Sequence, residues 1–170
     1  VRDNFAGLLS FAGVGALRLS DLDVTAPEVE RFHLGDFHFN DFSSDGIGEI
    51  GVHDLDVAIQ DKGTLGAERL AVGGFKFPSP DLLVSSMYAS ESGIDFDPMP
   101  LIPTMGFAEA VGVDVTQGGK KLGAVDRARI DLGDYIGPVP TSIASDVRGL
   151  DLDLSQIDDR RAREMIKGLG

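Results

Sequence analysis

The chain has 170 residues, 28 of them acidic and 15 basic, for a formal net charge of −13, and it contains no cysteine and no tryptophan. That balance argues against nucleic acid and against an anionic membrane surface, since both need a basic patch. Disulfides and thiolate metal sites are excluded outright.

With 42% hydrophobic and 25% charged residues, the chain has the composition of a folded protein with room for one domain. The 22 glycines are many for this length and suit a structure full of bulges and tight turns. A cysteine-free chain fits the periplasm and the cytosol equally well.

Residues 4–16 are an apolar, small-residue run, shorter than the ~20 residues a bilayer span requires. It reads as an N-terminal helix, capped by Asp3 or Asn4, that packs Phe5, Leu8, Leu9 and Ala12. A first hairpin is expected over residues 17–42 and a second over 47–77. Pro78-Ser79-Pro80 breaks the second.

The insertion at 81–108 begins with a short helix over Asp81–Ala89, with Ser79 as cap and Pro80 at the first position. It continues as a proline-rich strap, Asp97 to Gly106, whose apolar residues are expected to lie across the sheet. A third hairpin is expected over 109–136, and residues 146–154 look like the start of a fourth copy. The chain closes on a helix capped by Ser155 and Asp158, with Ile157, Met165, Ile166 and Leu169 as its apolar stripe. Because it stops just after a fourth copy has begun and starts at Val1, the chain reads as a slice of something longer.

The hairpins share a unit. Arg31-Phe32-His33-Leu34-Gly35-Asp36-Phe37, Arg69-Leu70-Ala71-Val72-Gly73-Gly74-Phe75 and Arg129-Ile130-Asp131-Leu132-Gly133-Asp134-Tyr135 all read Arg, apolar, any, apolar, Gly, Asp or Gly, aromatic. Apolar residues two apart line one strand face, yet each aromatic comes three positions later, where strict alternation would put it on the other face. A β-bulge at the glycine is the expected remedy. Upstream companions Leu19–Val24, Val52–Val57, Ala110–Val115 and Val147–Leu152 carry a similar three-residue step at an Asp or Gly. Copies of one thin supersecondary unit stack into a shared sheet.

Candidate chemistry is sparse. G-x-S-x-G and a phosphate loop are absent. Asp21/Asp23, Asp54/Asp56 and Asp151/Asp153 would put paired carboxylates on one strand face, a calcium-like arrangement, but a solvated outer face is the simpler reading. His33 and His38 would make a zinc pair only across a bulge, and surface histidines suffice. Arg31, Arg69 and Arg129 are expected to pair with aspartates on neighbouring strands. No catalytic, metal or cofactor residue is assigned.

The expected fold is therefore mainly β: an antiparallel meander of repeated hairpins, as one open or curled sheet or a sandwich, with a C-terminal helix and a short helix in 81–108. Leu-x-Leu-x-Asp-Leu strands and Gly-Asp turns, over about 17–77 and 109–154, resemble the repeat-built β proteins of the bacterial envelope, the AsmA-like lipid-bridging class. The resemblance implies an extracytoplasmic, non-enzymatic role in lipid handling or scaffolding. The ligand-binding face is then expected to be Phe32, Leu34, Phe37, Phe39, Leu70, Val72, Phe75, Phe77, Ile130, Leu132 and Tyr135, with lipid or a protein as partner. The alternative is an acidic structural or adhesive module, with calcium as its ion.

Overall fold

The computed structural model describes residues 13–93 and 95–153. The C-terminal helix expected after Ser155, and all but the last residues of the expected N-terminal helix, lie outside them. Gly13–Ala16, the end of that run, belong to the first strand.

The strands are β1 (Gly13–Ala26), β2 (Val29–Ser43), β3 (Gly46–Ile59), β4 (Gly63–Lys76), β5 (Phe107–Gln117), β6 (Lys120–Ile136), β7 (Val139–Arg148) and β8 (Asp151–Leu152). They form one antiparallel sheet in the order of the chain, with β8 pairing β6 beyond the end of β7. β7 and β8 keep one register against β6, since Arg127 pairs Arg148 and Ala124 pairs Asp151. They are one edge strand interrupted at Gly149. The architecture is therefore an open meander and not a sandwich.

Between β4 and β5 stands one helix, α1 (Pro80–Glu91), whose Ser79 side chain accepts the Leu82 N–H at 3.3 Å. Proline in its first turn loses nothing, because that N–H has no helical partner anyway. Val84 is the buried residue of the helix. Among the described residues no helix is long and apolar enough to cross a membrane.

The proline strap corrects the sequence reading. It makes one 3₁₀ turn at Met99–Leu101 and then leads into β5 in that strand's register against β4, where Lys76 and Thr104 exchange backbone hydrogen bonds of 3.0 and 3.1 Å. Met99 and Ile102 stay exposed, while the Met105 carbonyl accepts from the Tyr135 hydroxyl.

The three-residue step is also solved differently from expected. A bulge sets two residues against one and shifts the register, and no shift occurs at Gly35, Gly73 or Gly133. Ser20 pairs Asp36 and Leu22 pairs Leu34, leaving Asp21 and Gly35 opposite one another as an unpaired couple. The same level runs on through Asp54, Glu68, Gly112, Asp126 and Gly149. On every odd strand the residue there is left-handed: Asp21 (φ 55°), Asp54 (φ 52°), Gly112 (φ 58°) and Gly149 (φ 61°). Each strand takes the extra residue at the same height, so all strands step together and the side-chain faces stay in phase. Inside the even strands, away from the turn glycine Gly63, the left-handed residues are Asp41, Gly74 and Asp134, with Gly48 facing both Asp41 and Gly74.

This matched stepping staggers the Arg motif. Followed across the sheet, Arg69 is level with Asp36, five residues beyond Arg31, and Arg129 is level with Ala71, two beyond Arg69. The three copies are all strand, but Gly35 and Asp36 of the first hold no left-handed residue while Gly74 and Asp134 of the others do. What the fold superposes is the step and not the arginine.

Candidate functional site

Cross-strand partners share a face, so the register writes out one apolar wall. Leu19, Phe37, Val52, Leu70, Ala110, Ala128 and Val147 form one row from edge to edge. Leu17, Phe39, Ile50, Val72, Ala108 and Ile130 form the next. Beyond the step come Leu22, Leu34, Leu55 and Ala67, then Val24, Phe32, Val57, Leu65 and Val115.

The expected ligand-binding residues fall on this wall. Phe32, Leu34, Phe37, Phe39, Leu70, Val72 and Ile130 stand in the rows above. Phe75 pairs Ile47, and Phe77 meets Phe42 edge-on at 6.4 Å, which in turn touches Phe39 at 5.6 Å. Leu132 pairs Ile143, and Tyr135 pairs Pro140 while its hydroxyl donates to the Met105 carbonyl.

No second layer covers the wall among the described residues, and no large side chain is fully buried there. Leu17, Leu19, Ile130, Ile143, Val147 and Leu150 are exposed. Sequence reasoning missed where the wall is concave. An apolar recess of about 390 Å³ is lined by Val113, Val115, Leu122, Val125, Leu150 and Leu152. A second, of about 220 Å³, continues it along Val57, Ile59, Leu65, Val115 and Leu122. Together they form a trough along the wall where the sheet steps at Gly112 and Gly149.

The opposite face carries a chain of charges. Arg18 Nε meets Asp36 Oδ1 at 3.1 Å, and Asp36 Oδ2 lies 3.3 Å from His38 Nδ1. His38 Nε2 is 2.7 Å from Glu49 Oε1, and Arg69 donates to Glu49 Oε2 at 2.7 Å. Arg69 also donates to Glu109, which accepts from Arg127 at 2.7 and 2.9 Å and has Arg129 at 3.6 Å. Arg129 donates to Asp131 at 2.7 Å and lies over the Phe107 ring, 4.4 Å from its centre.

Two of these charged groups are buried. Glu109 and His38 are 9% and 4% exposed. Burial works against the Glu49 charge, but hydrogen bonds from His38 and Arg69 outweigh it and hold its carboxyl below the usual range. The Arg129 hydrogen bond does the same for Asp131 and raises the guanidinium in return.

The expected aspartate partners are thus found for Arg31 only, with Asp56 across the strand pair at 2.9 Å. Arg69 pairs with glutamates, and Arg129 with Asp131 of its own strand as well as Glu109. Asp21/Asp23 and Asp54/Asp56 do not align as expected either, because Asp21 and Asp54 sit at left-handed residues. Asp23 is held by His33 at 2.9 Å and Asp151 by Lys121 at 2.8 Å. His33 and His38 do not meet. His38 stacks on His53 instead, ring centres 5.3 Å apart, a partnership that only the register between β2 and β3 reveals. In comparisons with known proteins, no family model, curated protein or solved structure matched this chain.

Proposed function

We propose that this is a non-enzymatic protein of the cell envelope whose apolar sheet face shelters the acyl chains of lipid. The observation that carries the reading is the apolar wall, uncovered among the described residues, continuous over seven strands and concave along the Val113–Val115–Leu122–Val125–Leu150–Leu152 trough. Burying on the order of 200 Å² of acyl chain in it contributes about 5 kcal/mol before the costs of association. A trough open along its length suits a flexible chain better than a compact, rigid ligand. The extracytoplasmic location is supported by the likeness of the Leu-x-Leu-x-Asp-Leu strands to those of the AsmA-like class, and fractionation of cells expressing the gene tests it.

Native mass spectrometry of gently prepared protein, with phospholipid added in a mild detergent, tests the binding. Lipid adducts are expected on the wild type and lost from Leu122→Asp and Leu150→Asp. A wild type that carries no lipid, or variants that carry as much, would overturn the reading and return the wall to the alternative of a protein–protein interface.

A further inference from the structure

The geometry points to a divalent transition-metal site, best suited to Zn²⁺, on the charged face at Asp36, His38 and His53. One ligand atom from each of the three lies within 4.8 Å of the others. Asp36 and His53 are a cross-strand pair of β2 and β3, and His38 is the next residue of β2 on the same face. Two imidazoles and a carboxylate are a known zinc donor set, leaving a fourth position for solvent.

The spacing suits a cation there. Glu49 Oε1 stands 2.7 Å from His38 Nε2, and Arg69 holds the other Glu49 oxygen. His38 Nδ1 is directed toward Asp36 Oδ2 at 3.3 Å. Two ligands of a tetrahedral zinc at ~2.0–2.1 Å stand roughly 3.3 Å apart, so this pair is already spaced for the metal. Glu49 supplies what a ligating histidine ordinarily has, a carboxylate on its other nitrogen that fixes the ring.

The backbone beneath is shaped for it. A methyl group at Gly51 would overlap the His38 ring, so the glycine lets the imidazole lie flat against β3. Arg18 engages the other oxygen of Asp36 at 3.1 Å and leaves Oδ2 to the metal. Arg69 is spent on Glu49 and Glu109, which offset its charge.

The test is titration of chelator-stripped full chain with Zn²⁺ by calorimetry and with Co²⁺ by visible absorption. One ion per chain is expected, with a cobalt spectrum of low coordination number and no thiolate band. His53→Ala should weaken binding at least about tenfold, Glu49→Gln about tenfold, and His33→Ala not at all. His53 is the ligand to delete because His38 is built into the ion chain. If circular dichroism shows that His53→Ala disturbs the sheet, His53→Gln replaces it. No binding to the wild type, unchanged affinity without the His53 imidazole, or loss on removing His33 would each overturn the site.

Discussion

The two faces of this sheet bury different chemistry at their centres, Leu34 and Ala67 on one and Glu109 and His38 on the other. The apolar face holds the large hydrophobic side chains, yet Leu17, Leu150 and Ile143 are 58%, 60% and 68% exposed. The charged face holds Glu109 and His38, which are among the few buried residues. Arg69 and Arg129 lie over Glu109 with their stems partly buried, and among the described residues no second layer stands on that face. The lesson is that a one-layer sheet can take its rigidity from interlocked ion pairs and keep its apolar side free for something else.

The strongest way to break that comparison is to open the charged face. Glu109→Ala removes the carboxylate shared by Arg69, Arg127 and Arg129 and leaves Arg127 without its hydrogen-bonded partner, and a loss of about 2–3 kcal/mol is expected in urea denaturation. A loss below 1 kcal/mol would mean that the face does not hold the sheet together. Next comes the step that keeps the faces apart. Asp54→Val forces a β-branched residue into a left-handed conformation and should cost about 1–3 kcal/mol, while Asp54→Gly should gain about 1 kcal/mol.

Acid should attack one face selectively. Glu49 has a carboxyl held lower in the folded chain than in the unfolded one. Its contribution is therefore fully present above the unfolded value, near 4.5, and is lost as pH falls through the lower folded value. Denaturation midpoints taken between pH 6 and pH 3 should fall less steeply in Glu49→Gln than in the wild type. Arg31→Ala removes an exposed pair with Asp56 and should cost no more than about 1 kcal/mol, shrinking further in high salt. Smallest of all, Leu150→Asp should change stability by less than about 0.5 kcal/mol while abolishing lipid adducts. A large loss there would show that the apolar wall is a core.

Much of this organisation was legible in the chain. Period-two apolar residues, Gly118-Gly119 and the turn residues around Asp61 and Pro27 mark the hairpins, because alternation and turn chemistry are local. The three-residue step at Asp21, Asp54, Gly112 and Gly149 was visible too, but its mechanism was not. One strand read by itself suggests a bulge, and only its neighbours show that every strand steps at once. The metal ligands were hidden for the same reason. His38 and His53 lie 15 positions apart with nothing local to link them, whereas His33, nearer in sequence, goes to Asp23.

By itself the sequence determined that this protein is a meander of hairpins with one apolar side, since both facts follow from the period of side chains along an extended backbone. The tertiary structure alone decided which residues stand beside which. Register is set by the joint fit of many strands, and it placed Glu109 among three arginines and His53 against His38, and lined the apolar side chains into one wall.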